Sequence, residues 1–180
     1  MEQGILEWNV AVSALVIVPG FCRMVVVNTS SGEAVIPEKP RTVDDLRQMW
    51  PGTALEAFGL SLVEVDDDRL ILEMPVRPEF RQPMGLLHGG VHLFLAESAA
   101  SLHACVGIDL HKTYPVGIEV NGSHLRPVRD GNIRAVAEVI RRSKKTIVHQ
   151  IAISHVETGK QLCACRVTNL YRSATPGNAD

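Results

Sequence analysis

Residues 90–106 read GVHLFLAESAASLHACV, the only long helical pattern in the chain, and Gly107 closes it. Val91, Leu93, Phe94, Leu95, Ala96, Ala99, Ala100, Leu102 and Ala104 leave almost no polar stripe, so the pattern predicts a helix buried nearly all round. At 1.5 Å per residue it would span ~25 Å, about the width of a small sheet. Its alanines would let strands approach closely. Glu97 is out of place on such a helix, because burying an unpaired carboxylate costs several kcal/mol. Ser101 lies one turn further along the same face. A carboxylate and a hydroxyl stacked in this way suit the holding of one water molecule. The bland alternative is that Glu97 faces solvent or pairs with Arg81 or Arg126.

Working outward, four strand candidates follow the helix at 114–125, 132–142, 146–156 and 161–171. Turn chemistry separates them: Pro127 with Asp130-Gly131, then Ser143-Lys144-Lys145, then Glu157-Thr158-Gly159-Lys160. Ile147, His149, Ile151 and Ile153 alternate onto one face. Before the helix, 60–65 and 69–76 read as a hairpin around Asp66-Asp67-Asp68. Two short helices precede the hairpin, the first with a Thr42/Asp44 cap, the second over 53–58 ending at Gly59. This order predicts an α+β domain over 42–172, in which one curled antiparallel sheet wraps around one long central helix.

The remainder of the chain excludes several classes. A length of 180 residues suits one domain with a sizeable core. The formal net charge of −2 argues against a nucleic-acid partner. The apolar run 10–18 is far short of the ~20 residues that span a bilayer, and Glu2 and Glu7 precede it without a Lys or Arg, unlike an export signal. No membrane association is expected. Four cysteines lack the density of a disulfide framework, which favours the reducing cytoplasm. Residues 1–41 read as an extension outside the domain and 173–180 as a tail.

Upstream of the helix stands Gln82-Pro-Met-Gly-Leu-Leu-His88-Gly89-Gly90. Two glycines at a helix start permit close approach of a ligand to free amides, and those amides carry the positive end of the helix dipole. They suit an oxyanion developing on a carbonyl. Alone, His-Gly-Gly is a weak signal and equally a simple turn. With Gln82 six positions before His88 and Glu97 nine after it, the pattern becomes specific.

These two stretches together, 81–91 and 95–101, resemble the hotdog-fold thioesterases. The resemblance is to the clade of 4-hydroxybenzoyl-CoA and 1,4-dihydroxy-2-naphthoyl-CoA thioesterases and the related phenylacetate-pathway enzymes. It runs from about Met49 to Tyr171 and continues through Gly117-Ile-Glu-Val-Asn and His124-Leu-Arg-Pro. The chain departs from the clade in three places. Ser101 stands where some members carry Thr, His92 where a small residue is common, and the link 107–114 is long.

The resemblance implies hydrolysis of an acyl-CoA thioester, with no cofactor beyond the coenzyme A of the substrate. Gly89 N–H would bind the thioester oxygen, Gln82 would orient or polarise the thioester, and His88 would hold the loop and substrate. Glu97 would act as nucleophile or as general base, and Ser101 would position water. In this clade Glu and Ser come from one subunit and Gln, His and Gly from its neighbour. A homodimer is therefore the implied minimum, with a homotetramer the expected assembly. The resemblance points to His124, Arg126 and Ser143 for the nucleotide of CoA; Lys144, an exposed basic group in the same turn, suits its phosphates or is a solvated charge, and Phe80, Met84, His92 and Val116 are the expected acyl contacts.

Two other readings remain open. A metal hydrolase would use His88 and His92, four apart, with Glu97 and Cys163-x-Cys165. Against it, His88 precedes the glycines, and Cys163 and Cys165 share a strand face without a partner pair, so no metal is expected. A non-hydrolytic acyl-CoA binder or a hydratase is the other. A hydratase would need a His and Asp pair, and none follows the His-Gly-Gly run.

Overall fold

The structure is a computed structural model that describes residues 34–174. The apolar run 10–18, most of the extension and residues 175–180 of the tail lie outside the described residues. Two short helices open the domain, α1 (Val43–Arg47) and α2 (Ala54–Ala57). The α1 cap corrects the expected partner. Thr42 Oγ1 accepts from the Asp45 backbone N–H, and the Asp45 carboxylate accepts in return from Thr42 N–H. Three-residue spacing sets this reciprocal geometry. Asp44 instead pairs with Arg47 at 3.7 Å.

The hairpin forms as β1 (Ser61–Val65) and β2 (Arg69–Pro75), with Asp66 Oδ1 accepting from the backbone N–H groups of Asp68 and Arg69 to close the turn. The central helix is α3 (Gly89–Ala104), starting one residue before the sequence pattern. Then come β3 (Thr113–His124), β4 (Asn132–Arg142), β5 (Thr146–His155) and β6 (Gln161–Ser173). All six strands join one antiparallel sheet in the order β1-β2-β4-β5-β6-β3. The last strand in that order, β3, is an edge although it follows α3 directly in sequence.

Residues one side of α3 presents to the sheet are small or aliphatic: Leu95, Ala96, Ala99, Ala100 and Ala104 are fully buried. The facing layer includes Ile133, Ala135 and Ala137 of β4, Ile151 and Ile153 of β5, and Val167 of β6. Register shifts at Leu62/Glu64, Gly117/Glu119, Val139/Arg141 and Ile153/Ser154 mark irregularities that bend strands and raise local twist, so the sheet curls about the helix. Among the described residues, no helix is long and apolar enough to cross a membrane.

The long link after α3 has a structural reason. Gly107 N–H donates to Pro40 O at 2.9 Å, and Leu110 N–H to Glu38 O at 2.8 Å. Val35 N–H donates to Gln48 O at 2.9 Å, and His111 Nε2 meets Ile36 O at 3.3 Å. The described end of the expected extension, residues 34–41, is therefore stitched to the domain. The link carries those bonds.

Candidate active site

Glu97 projects from the middle of α3, half-buried, into a cavity of about 530 Å³. Ser101 and Ser98 join it, and Met49, Leu55, Phe94, Leu110 and Tyr114 supply most of the apolar wall. Among the described residues Glu97 has no salt-bridge partner; Arg81 and Arg126 do not pair with it. An ideal Cβ at Gly117 would overlap Glu97 Oε1, so β3 approaches the carboxylate backbone-first. The irregularity between Gly117 and Glu119 lies at this point of β3.

Ser101 Oγ accepts from Asn169 Nδ2 at 2.9 Å. Asn169 is fully buried, its Oδ1 has no partner among the described residues, and β6 sets it directly opposite Gly117. With its hydroxyl oxygen accepting from Asn169, Ser101 is left free to donate its own proton toward the cavity. Asn169 carries no motif signal, yet it is a polar residue in the inward alternation Cys163, Cys165, Val167, Asn169, and that misfit could have marked it.

The second motif assembles at the other end of α3. His88 is the N-cap, and its Nδ1 accepts from Gly90 N–H at 2.9 Å. This bond fixes the proton of neutral His88 on Nε2. Gly89 N–H, by contrast, has no acceptor among the described residues. Gln82 Oε1 accepts from Met84 N–H, which leaves the Gln82 amide N–H groups as its free end. Thus Gly89 and Gln82 both offer donors, as an oxyanion requires.

Within one chain the two halves do not meet. Gly89 and Glu97 are eight residues apart on α3, about 12 Å along the axis at 1.5 Å per residue. None of Gln82, His88 and Gly89 lines the cavity that holds Glu97.

The expected acyl contacts also stand outside that cavity. Phe80 stacks on Phe58, ring centroids 4.6 Å apart, and Phe58 continues onto Phe94 at 4.3 Å. Met84 is 77% exposed in the loop before α3. His92 is buried against β3, and Val116 is half-buried beside the cavity-lining Pro115. Phe80 and Met84 belong to the segment that opens the helix, where Phe80 O accepts from His88 N–H at 2.9 Å.

The nucleotide candidates fall at two places. Arg126 donates to Gln161 O at 2.8 Å and lines a smaller depression with Arg129, His155 and Lys160, basic or titratable neighbours that the motif did not include. Ser143 closes the β4–β5 turn by bonding Thr146, with Lys144 exposed beside it. His124 pairs with Cys163 and Thr146 with Leu170, so these places lie at opposite ends of β6, roughly 24 Å apart at ~3.4 Å per residue. His124 itself lies over Gly89, where any Cβ would meet its ring Nε2 at 2.7 Å.

One expectation is corrected here. Cys163 and Cys165 do have a partner pair, because the β3–β6 register sets His124 opposite Cys163 and α3 adds His92. That register joins distant segments and is not visible in local spacing.

Comparison with known proteins agrees with this architecture. The thioesterase superfamily model matches residues 84–162. The 1,4-dihydroxy-2-naphthoyl-CoA hydrolase of Escherichia coli is 33% identical over 127 residues, covering 71% of this chain and 92% of that protein. Its namesake from Listeria monocytogenes is 38% identical over 113 residues, 63% of this chain and 90% of that one. The crystal structure of thioesterase HI1161 from Haemophilus influenzae superposes with a TM-score of 0.71 at 31% identity, covering 80% of this chain and 100% of that one. A mutant thioesterase PA1618 from Pseudomonas aeruginosa gives 0.70 at 32% identity, with 77% and 99% covered. The chain belongs to the thioesterase superfamily, with the hotdog fold. Its activity class is thioester hydrolysis.

Proposed function

We propose that this chain hydrolyses an acyl-CoA thioester to the free acid and coenzyme A, with Glu97 as the catalytic carboxylate. The observation that carries the reading is a half-buried Glu97, without an ion-pair partner among the described residues, on the wall of an apolar cavity, with Ser101 one turn on. The acyl chain would occupy the cavity, and the naphthoyl-CoA hydrolases among the relatives favour an aromatic acid over an aliphatic one.

In the general-base course, Glu97 takes a proton from a water held by Ser101, and the hydroxide attacks the thioester carbonyl. Charge develops on the carbonyl oxygen, toward which the Gly89 N–H and the Gln82 amide donate. The C–S bond then breaks, and CoA leaves as a thiolate that recovers a proton from Glu97 or solvent. In the nucleophilic course, Glu97 attacks first and forms a mixed anhydride that water hydrolyses. No cofactor enters either course.

The separation of about 12 Å between Gly89 and Glu97 supports a site shared by two chains, each lending one half. A homodimer would be the working unit and a homotetramer its further assembly. The edge strand β3 suits the pairing: it is long and largely exposed, with Ile118 outward. His124, Arg126, Ser143 and Lys144 would then bind the nucleotide from two chains, resolving their separation on one. The free cysteines Cys105, Cys163 and Cys165 suit the reducing cytoplasm. Neither nucleic acid nor membrane has a place in this reading.

Thiol release from a panel of aromatic and aliphatic CoA thioesters, followed with a thiol reagent, tests the proposal. Turnover of benzoyl-CoA or a bicyclic aromatic analogue is expected. A panel that binds but releases no thiol would favour the acyl-CoA binder instead. The variant Arg126→Ala should raise KM for CoA esters roughly tenfold, the loss of one charge-assisted hydrogen bond. It should leave short thioesters lacking the nucleotide nearly unaffected. Equal losses on both would remove Arg126 from nucleotide binding.

A further inference from the structure

We propose that His92, His124 and Cys163 form a binding site for a soft divalent metal, Zn²⁺ by preference, beside the N-terminus of α3. One ligand atom from each of the three lies within 4.8 Å of the others. The ligands come from three elements, α3, β3 and β6, so the fold and not a local motif assembles them. The cluster lies outside the Glu97 cavity of its own chain but borders Gly89 and shares His92 and His124 with the proposed substrate contacts; metal binding is tested without reference to turnover.

Two of the three ligand edges have the lengths of a metal tetrahedron, and the third, between His92 and Cys163, is within 4.8 Å. With Zn–N of about 2.05 Å and Zn–S of about 2.3 Å, tetrahedral edges are about 3.3 Å for N···N and about 3.6 Å for N···S. Here His92 Nδ1 and His124 Nδ1 are 3.3 Å apart, and His124 Nδ1 is 3.5 Å from Cys163 Sγ. Cys165 Sγ stands 3.4 Å from Cys163 Sγ, shorter than the ~3.8 Å edge of two thiolates on one zinc. Cys165 is thus better placed as a thiol donor to the Cys163 thiolate.

The chemistry of the cluster points the same way. His124 Nδ1 faces both His92 Nδ1 and Cys163 Sγ, yet one ring nitrogen carries either one proton or one lone pair. A cation among the three satisfies all of them together. Cys163 would release its thiol proton to solvent on binding. Space is made by glycines: a Cβ at Gly89 would strike His124 Nε2 at 2.7 Å, and one at Gly122 would strike Cys165 Sγ at 2.9 Å. A metal here would also commit His124, withdrawing it from the nucleotide.

The test is Co²⁺ titration of the tag-free full chain, with metal content of the protein as purified measured alongside. We expect one Co²⁺ per chain with tetrahedral visible bands and a near-ultraviolet thiolate-to-cobalt charge-transfer band. Cys163→Ser should abolish the charge-transfer band and weaken binding by more than the roughly tenfold loss that an outer-shell change causes. His92→Gln should weaken it similarly while keeping the thiolate. Cys105→Ser, a buried cysteine away from the cluster, should change nothing. Circular dichroism reports folding of each variant, and the spectrum of the unaltered chain stands whatever the variants do. Absence of the charge-transfer band in the unaltered chain, or its survival in folded Cys163→Ser, overturns the site.

Discussion

Replacing Glu97 with glutamine should lower kcat for acyl-CoA hydrolysis by roughly 10² to 10⁴-fold, the usual worth of a positioned acid–base group. The substitution keeps shape and removes the charge, so KM should move little. Stability should hold or rise, because Glu97 has no ion-pair partner to lose among the described residues and an unpaired half-buried carboxylate does not stabilise a core. A fall in kcat with an unchanged melting temperature separates chemistry from folding. Full retained turnover would remove Glu97 from the mechanism. A variant that loses activity and unfolds together would make Glu97 a structural residue instead.

Glu97 and Ser101 could be read from the sequence because helical period is local: four residues fix one turn and one face. Strands were equally legible, with β4 matching the expected bounds and the others within two residues at each end. In β5 the buried face is the expected Ile147, His149, Ile151 and Ile153. Sheet order was not legible. Placing β3 beside β6 pairs residues 39 to 60 apart, and no local pattern states that register. The meeting of His124 with Cys163 depends on it, and the Asn169–Ser101 bond and the approach of Gly117 to Glu97 depend on equally distant packing of β6 and β3 on α3. The cavity wall was missed for the same reason, since Met49, Leu110 and Tyr114 reach it from three separate segments.

Acidification should destabilise the fold through a buried histidine pair, His103 and His149. His103 Nε2 meets Asp66 O at 3.0 Å, and His103 Nδ1 meets His149 Nε2 at 2.8 Å. The carbonyl can only accept, so His103 carries its proton on Nε2, and His149 Nε2–H donates to His103 Nδ1. His149 Nδ1 is then a lone pair, buried and without a partner among the described residues. A proton there would bring a charge into a site with no acceptor, near Arg142. Burial, then His103 and Arg142, push the His149 pKa down to about 3; burial chiefly lowers that of His103. Both groups are therefore less protonated folded than unfolded between their depressed values and the ordinary 6.5. The unfolded chain binds more protons in that window, so stability falls as pH drops below about 6.5. From pH 7 to pH 5, His149 alone should cost on the order of 2 kcal/mol, with His103 acting in the same direction. Urea unfolding at the two pH values measures the loss. His149→Gln, which keeps a donor toward His103 and cannot titrate, should flatten the dependence. An equal loss in that variant would assign the acid sensitivity to other groups.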